Sequence, residues 1–227
     1  MTTLVLFDVD GTLLRCGPQI RRLFGAALNE VFGPAGGLDD YDFAGKTDRR
    51  IVFDLATRAG RRADEVAAAL PRMRAAYVRN LEQGLDPRQM SVMPGVAALL
   101  ARLAARPGVA VGLLTGNFER GAYVKLGRVG LDRHFRFGAF GDDVIDRNEL
   151  PPIALARAAA VAGRTFAPAE ALIVGDTPLD VACARAHGVP VLAVATGFTP
   201  ADRLRAAGAD WVVPDLEAAA RVLPLFA

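Results

Sequence analysis

Asp8-Val9-Asp10-Gly11-Thr12-Leu13 stands directly behind the apolar run Thr3-Leu4-Val5-Leu6-Phe7, and nothing else in the chain limits its fold as sharply. A short apolar run that stops at polar residues and a glycine predicts a buried strand ending in a turn. Side chains alternate along a strand, so Asp8 and Asp10 are expected on one side and Val9 on the other. Two neighbouring carboxylates repel and raise a pKa unless a cation sits between them. An Asp-Gly turn at a strand end accounts for that pair alone. The whole string asks for more than a turn.

Behind this strand the apolar period changes from two to 3.6. Ile20, Leu23, Phe24, Ala27, Leu28, Val31 and Phe32 recur at helical spacing, and Gly33-Pro34 ends that helix. Gly36-Gly37-Leu38-Asp39-Asp40 reads as a loop. Thr47 is placed to cap a helix carrying Ile51, Val52, Leu55 and Ala59, which Gly60 stops. Val66, Leu70, Met73, Tyr77 and Leu81 mark a third helix, in which Pro71 predicts a kink or a split, and Gly84 to Pro87 ends the segment.

From about Val92 short apolar runs alternate with helical stretches. Val109–Leu114, Ala171–Val174 and Val189–Val194 are the strong strands, with Phe135–Phe140 and Trp211–Val213 weaker. The helices fall near Val96–Ala105, Gly121–Val129, Pro152–Ala162, Leu179–His187 and Ala201–Ala207. This alternation predicts an α/β fold with a mostly parallel sheet covered on both faces. The expected division is a core of residues 1–15 and 91–227, interrupted by an all-helical insert over residues 16–90.

Three more polar clusters stand where strands should end. Thr115-Gly116-Asn117 offers a hydroxyl and free backbone N–H groups at a strand-to-helix turn. That is a phosphate cradle or, more plainly, a helix cap in a glycine turn. Asp176-Thr177-Pro178-Leu179-Asp180 brings two acids to another strand end, which also suits a helix N-terminus. With Asp8 and Asp10 these acids supply hard oxygen ligands, for which Mg²⁺ is the natural cation. The third cluster, Asp142 to Pro152, contains Arg147, which could equally be a surface arginine paired with Asp146 or Glu149.

Taken together, these strings resemble the motifs of the haloacid dehalogenase superfamily along nearly the full chain. The resemblance implies a Rossmann-like core with a helical cap inserted after the first motif, closing over Asp8. It implies that Asp8 attacks phosphorus and that Asp10 acts as general acid and then base, its carbonyl also a metal ligand. It implies that Thr115 orients the phosphoryl group, with Gly116 and Asn117 beside it. It implies that Asp176 binds Mg²⁺ directly and that Asp180 supports the metal. The family has a lysine where this chain has none, and Arg147 occupies the matching position. Arginine is always charged and can hold a carboxylate and a phosphate oxygen together.

The implied activity is a Mg²⁺-dependent phosphatase of a small phosphorylated metabolite, resembling the phosphoglycolate phosphatases. A dehalogenase of the family lacks the second acid, which Asp10 supplies. A phosphomutase keeps the same residues and is the alternative. A phosphonate hydrolase needs a cap amine, for which only Lys46 is available. A phospho-accepting regulatory domain is about half this length and has no helical insert. A catalytically dead binding homologue would not fill almost every catalytic position.

Composition narrows the classes further. With 227 residues, 52% apolar, the chain can bury a sizeable core, and a net charge of +2 gives no reason to expect nucleic acid or an anionic membrane. Two cysteines, Cys16 and Cys183, form neither a disulfide framework nor a metal spacing, and Cys16 reads as an ordinary small residue. No signal peptide or spanning segment is expected, so a soluble, cytoplasmic protein is. Gly45-Lys46-Thr47 is not a P-loop tail, because Asp40 stands where its first glycine should be and no strand leads in. A substrate contact from Lys46 or Arg49 is an open reading of that segment. His134 and His187 are expected to be structural, and Trp211 to pack against the core.

Overall fold

Leu4-Val5-Leu6-Phe7 forms the fully buried strand β1 in the computed structural model, which describes residues 3–34 and 37–226. The expected loop at Gly36 and the outermost ends of the core (1, 2 and 227) lie outside the described residues. Five further strands join β1 in one sheet: β4 (Ala110–Leu114), β5 (Gly138–Ala139), β6 (Ala171–Gly175), β7 (Val191–Val194) and β8 (Trp211–Val213). The order is β5-β4-β1-β6-β7-β8, and every pairing is parallel. The sheet is therefore α/β in the sense that the alternating pattern predicts.

The alternation of β1 explains its burial on both faces. Val5 and Phe7 enter a core shared with α4 (Val96–Ala104) and α5 (Glu119–Arg128). Leu4 and Leu6 enter a second core, with Ala154 and Ala158 of α6 (Leu150–Ala162) and Val181 and Ala184 of α7 (Pro178–Ala186). Helices α8 (Ala201–Ala206) and α9 (Leu216–Ala219) complete the chain. Trp211 is half-buried against the first core, as expected. The Phe135–Phe140 candidate shrinks to the two residues of β5, where Phe135, Phe137 and Phe140 pack as side chains of a loop.

Between Arg15 and Ser91 lie α1 (Gln19–Phe32), α2 (Asp48–Arg58) and α3 (Ala63–Gly84). Their apolar faces meet through Phe24, Leu28, Val52, Leu55, Tyr77 and Leu81, all essentially without exposure. Phe24 stands edge-on to Tyr77, with ring centroids 4.8 Å apart. Where the chain enters and leaves this segment, β2 (Leu14–Arg15) and β3 (Ser91–Val92) pair as an antiparallel ribbon. Two-residue strands of this kind carry no periodicity to read. No helix of the described residues is long and apolar enough to cross a membrane.

Pro71 does not split α3, which runs unbroken from Ala63 to Gly84. The hydrogen bond that proline removes would have run to Ala67, and both residues are exposed, so water can satisfy the freed carbonyl. Val66, Met73, Ala76, Tyr77 and Leu81 form the buried stripe on the other side and anchor the helix on both sides of the proline. Pro71→Ala is therefore expected to restore a helix bond with no loss of packing. It should raise stability by about 1–3 kcal/mol, read as an increased midpoint in urea unfolding.

Candidate functional site

Strands β1, β4 and β6 run in near-flush register, with Phe7 opposite both Leu113 and Val174. Asp8, Thr115 and Asp176 therefore leave the sheet at its carboxyl edge within a residue of the same level. That edge, next to a central strand flanked by outgoing and returning halves of the chain, is where open parallel sheets hold ligands. Here it forms the floor of a cavity of about 570 Å³, a size suited to a small ligand. Asp8, Asp10, Thr115, Gly116, Asn117, Arg147 and Asp176 all line it. Asp180 is fully buried behind the wall.

Three carboxylates crowd the floor. Ligand oxygens of Asp8, Asp176 and Asp180 lie within 4.8 Å of one another. Asp180 is fully engaged: Oδ2 accepts from Thr177 N at 3.0 Å and Thr177 Oγ1 at 2.7 Å, while Oδ1 accepts from Arg147. This is also the N-terminal cap of α7, so capping and charge placement are one structure. Asp176 Oδ1 accepts from Thr12 Oγ1 at 3.1 Å. Gly11, at φ +85°, makes room for that carboxylate, since a Cβ there would lie 2.4 Å from Asp176 Oδ2.

Burial and then the neighbouring acids push Asp176 well above the usual carboxylate range. Burial also raises Asp8, and the Arg147 guanidinium only partly opposes it. Arg147 is 5% exposed, and its Nη2 lies 3.2 Å from Asp8 Oδ1. It also donates to the carbonyls of Gly45 at 3.0 Å and Leu114 at 3.2 Å. The alternative of a surface arginine paired with Asp146 or Glu149 is thereby excluded. Arg147 Nε, buried at the cavity wall, has no acceptor.

Asp8 and Asp10 both line the cavity, while Val9 between them is buried in the core with Val5 and Phe7, as the alternation predicts. The strand ends at Phe7, and the chain then turns through Gly11, with Asp10 bridged to Leu14. Asp8 and Asp10 share the cavity but not their partners. Asp10 Oδ2 accepts from Asn117 Nδ2 at 2.9 Å and from Lys125 Nζ at 2.6 Å. Its carboxylate is accordingly outside the group of three that could hold a metal. Thr115 Oγ1 accepts from Asn117 Nδ2 at 2.8 Å, so the turn behaves as a unit.

Lys125 escaped the sequence reading. It sits on α5 in line with buried Ala122 and is 2% exposed. Burial pulls its pKa down, but Asp10, with Tyr77, Cys16 and Asp48 behind it, outweighs that and keeps the ammonium charged. The available signal was its rarity and position, one of two lysines among 27 basic side chains and set on an apolar stripe. Asp48 escaped as well. It is buried, accepts from Phe118 N at 2.8 Å, and burial raises it to about 7.

The segment before α2 closes over the turn. Asp48 N donates to Gly116 O at 2.7 Å, and Thr47, whose side chain caps α2, also donates to Ile145 O at 2.8 Å. Lys46 lines the cavity with its Nζ 4.0 Å from the centroid of the Tyr41 ring, whereas Arg49 is not among the lining residues. Cys16 lines the cavity as a thiol, since burial and Asp10 push it up to about 12. His134 and His187 are not among the lining residues, and a His187 ring nitrogen meets Asn148 O at 2.7 Å.

Known proteins resemble this chain. Residues 2–188 match the haloacid dehalogenase-like hydrolase family. The plasmid phosphoglycolate phosphatase of Cupriavidus necator is 32% identical over 220 residues, covering 95% of this chain and 90% of that protein. The phosphoglycolate phosphatase of Rhodospirillum rubrum is 33% identical over 208 residues, covering 88% and 82%. The crystal structure of a hydrolase from Pseudomonas syringae superposes with a TM-score of 0.69 at 22% identity, covering 98% of both chains, which shows the fold.

Gly116 is the tightest point of the closure, because a Cβ there would lie 2.2 Å from the backbone oxygen of Lys46. Gly116→Ala must push the turn and the start of α2 apart. Displacements of about 1 Å at a reacting site can cost on the order of 100-fold. A fall in kcat/KM of that size is expected, with unchanged far-UV circular dichroism.

Proposed function

The chain belongs to the haloacid dehalogenase-like hydrolase family, as a phosphatase resembling the phosphoglycolate phosphatases, and we propose that it hydrolyses a small phosphate monoester through an aspartyl-phosphate on Asp8. The observation that carries this reading is the meeting, in one small cavity, of buried Asp8, the Arg147 guanidinium 3.2 Å away and the Thr115 turn. The α1–α3 segment (16–90) acts as the cap over the core (1–15 and 91–227). Its closure limits the substrate to a small ester and keeps water away from the reacting atoms.

Phosphate monoesters resist attack because their own charge repels nucleophiles, so the site must supply cations and positioning. Three carboxylates, those of Asp8, Asp176 and Asp180, meet one guanidinium at the floor, and a divalent cation would offset the charge that Arg147 leaves unmet. Asp8 and Asp176 would hold Mg²⁺ together with the Asp10 carbonyl, while Asp180, its oxygens already engaged, would fix Arg147 and Thr177 behind them. When bound, the metal supplies charge neutralisation for the phosphoryl oxygens.

The protein's own groups then divide the work. The phosphoryl group enters between Asp8 and the Thr115-Gly116-Asn117 turn, where the orphaned Arg147 Nε has an oxygen to engage. An Asp8 carboxylate oxygen forms a bond to phosphorus as the ester P–O bond breaks, and Asp10 gives its proton to the leaving oxygen. Water next attacks the same phosphorus, Asp10 takes its proton, and the Asp8 carboxylate is regenerated.

Hydrolysis of aryl phosphates with added Mg²⁺ tests the reading. Phosphate release is expected for the wild type, none with chelator, and none for Asp8→Asn. Full activity in Asp8→Asn would overturn the mechanism. Arg147→Ala is expected to lower turnover by about 100-fold or more. Arg147→Lys should recover only part of it, because an ammonium cannot span the same acceptors. A near-wild-type rate in Arg147→Ala would move the cationic role elsewhere.

A further inference from the structure

We propose that Lys125 is a positioning residue for the leaving-group step: together with Asn117 it anchors Asp10 through Oδ2 and leaves Oδ1 as the oxygen that carries the transferred proton. This rests on the phosphatase reading above and assigns a function to a buried ammonium that the reaction itself does not use.

The geometry is specific. Both hydrogen bonds to the Asp10 carboxyl fall on Oδ2, from Lys125 Nζ at 2.6 Å and Asn117 Nδ2 at 2.9 Å. Lys125 Nζ also donates to Asn117 Oδ1 at 2.5 Å, so the two donors brace each other. Asn117 in turn holds Thr115 Oγ1, which ties Asp10 to the turn that cradles the phosphoryl group. An oxygen that already accepts two hydrogen bonds, one from an ammonium, is a poor place for a proton. Oδ1 is therefore the oxygen through which a proton is handed on. From there it passes to the bridging ester oxygen as the P–O bond breaks and the Asp8–phosphorus bond forms.

The placement costs energy that packing alone does not require. A buried ammonium is unfavourable unless its charge is met. Lys125 is 2% exposed, whereas the side chain of its partner Asp10 is 41% exposed toward the cavity. The pair thus joins a rigid, buried anchor on α5 to a carboxyl open to the substrate. Asp10 lies beyond the end of β1, just before the turn at Gly11.

Leaving-group dependence separates this role from a structural one. kcat/KM reports the steps up to departure of the alcohol, and a very good leaving group needs no proton. Phenyl phosphate and 2,4-dinitrophenyl phosphate, with Mg²⁺, are the probes. Lys125→Met is expected to lower kcat/KM for phenyl phosphate roughly 100-fold and for 2,4-dinitrophenyl phosphate by less than about threefold. Lys125→Arg, which keeps the charge, should restore most of the phenyl phosphate rate. Thermal melts establish that the variants fold, and Lys125→Gln replaces the methionine variant if it does not. An equal loss on both esters, or no loss on either, overturns the proposal while leaving the phosphatase reading intact. A wild type that hydrolyses neither ester overturns both.

Discussion

The architecture of this protein is organised around the mutual repulsion of Asp8, Asp176 and Asp180, three carboxylates held within 4.8 Å of one another at the carboxyl edge of the sheet. Removing such groups from water is unfavourable by several kcal/mol each unless opposite charge and hydrogen bonds meet them. Arg147 is the protein's own answer. Its guanidinium reaches Asp8, Asp180 and the carbonyls of Leu114 and Gly45. One side chain thereby ties β1, β4, α7 and the loop before α2 into one site. The compensation is incomplete, and burial leaves both Asp8 and Asp176 with raised pKa values.

The enclosing segment depends on the same edge. Gly116 has no side chain, so the Lys46 carbonyl can approach and Asp48 N can reach Gly116 O. The Asp48 carboxyl meets Phe118 N in return. Closure is thus written in backbone hydrogen bonds at the turn that carries Thr115 and Asn117. The α1–α3 segment and the Thr115-Gly116-Asn117 turn thus share one set of contacts, so a small change at the turn reaches both.

Much of the fold was legible from periodicity. The alternation of apolar runs and helical stripes identified β1, β4, β6 and β7 and the main helices, because a sheet buried on both faces leaves few polar residues inside its strands. The failures have local causes. Pro71 is tolerated because the bond it removes faces water, which a one-dimensional pattern cannot report. The β2–β3 ribbon is too short to show alternation. Lys125 lies only two helical turns beyond Asn117, but its meeting with Asp10, 115 residues away, belongs to three-dimensional packing, as does that of Asp48 with Phe118.

By itself the sequence determined the chemical alphabet of the site: an acidic string behind a buried strand, a Thr-Gly-Asn turn, a second acidic cluster and an arginine before a helix. Those follow from local chemistry, since strand ends, turns and caps are fixed by neighbours in the chain. Only the tertiary structure decided how the charges pair. Arg147 could have faced Asp146 or Glu149 at the surface, and instead it stands between Asp8 and Asp180. Asp10 could have joined the three buried acids, and instead Lys125 draws it away. Pairing depends on distance and burial between elements far apart in sequence, and burial is a property that a chain acquires only when it has folded.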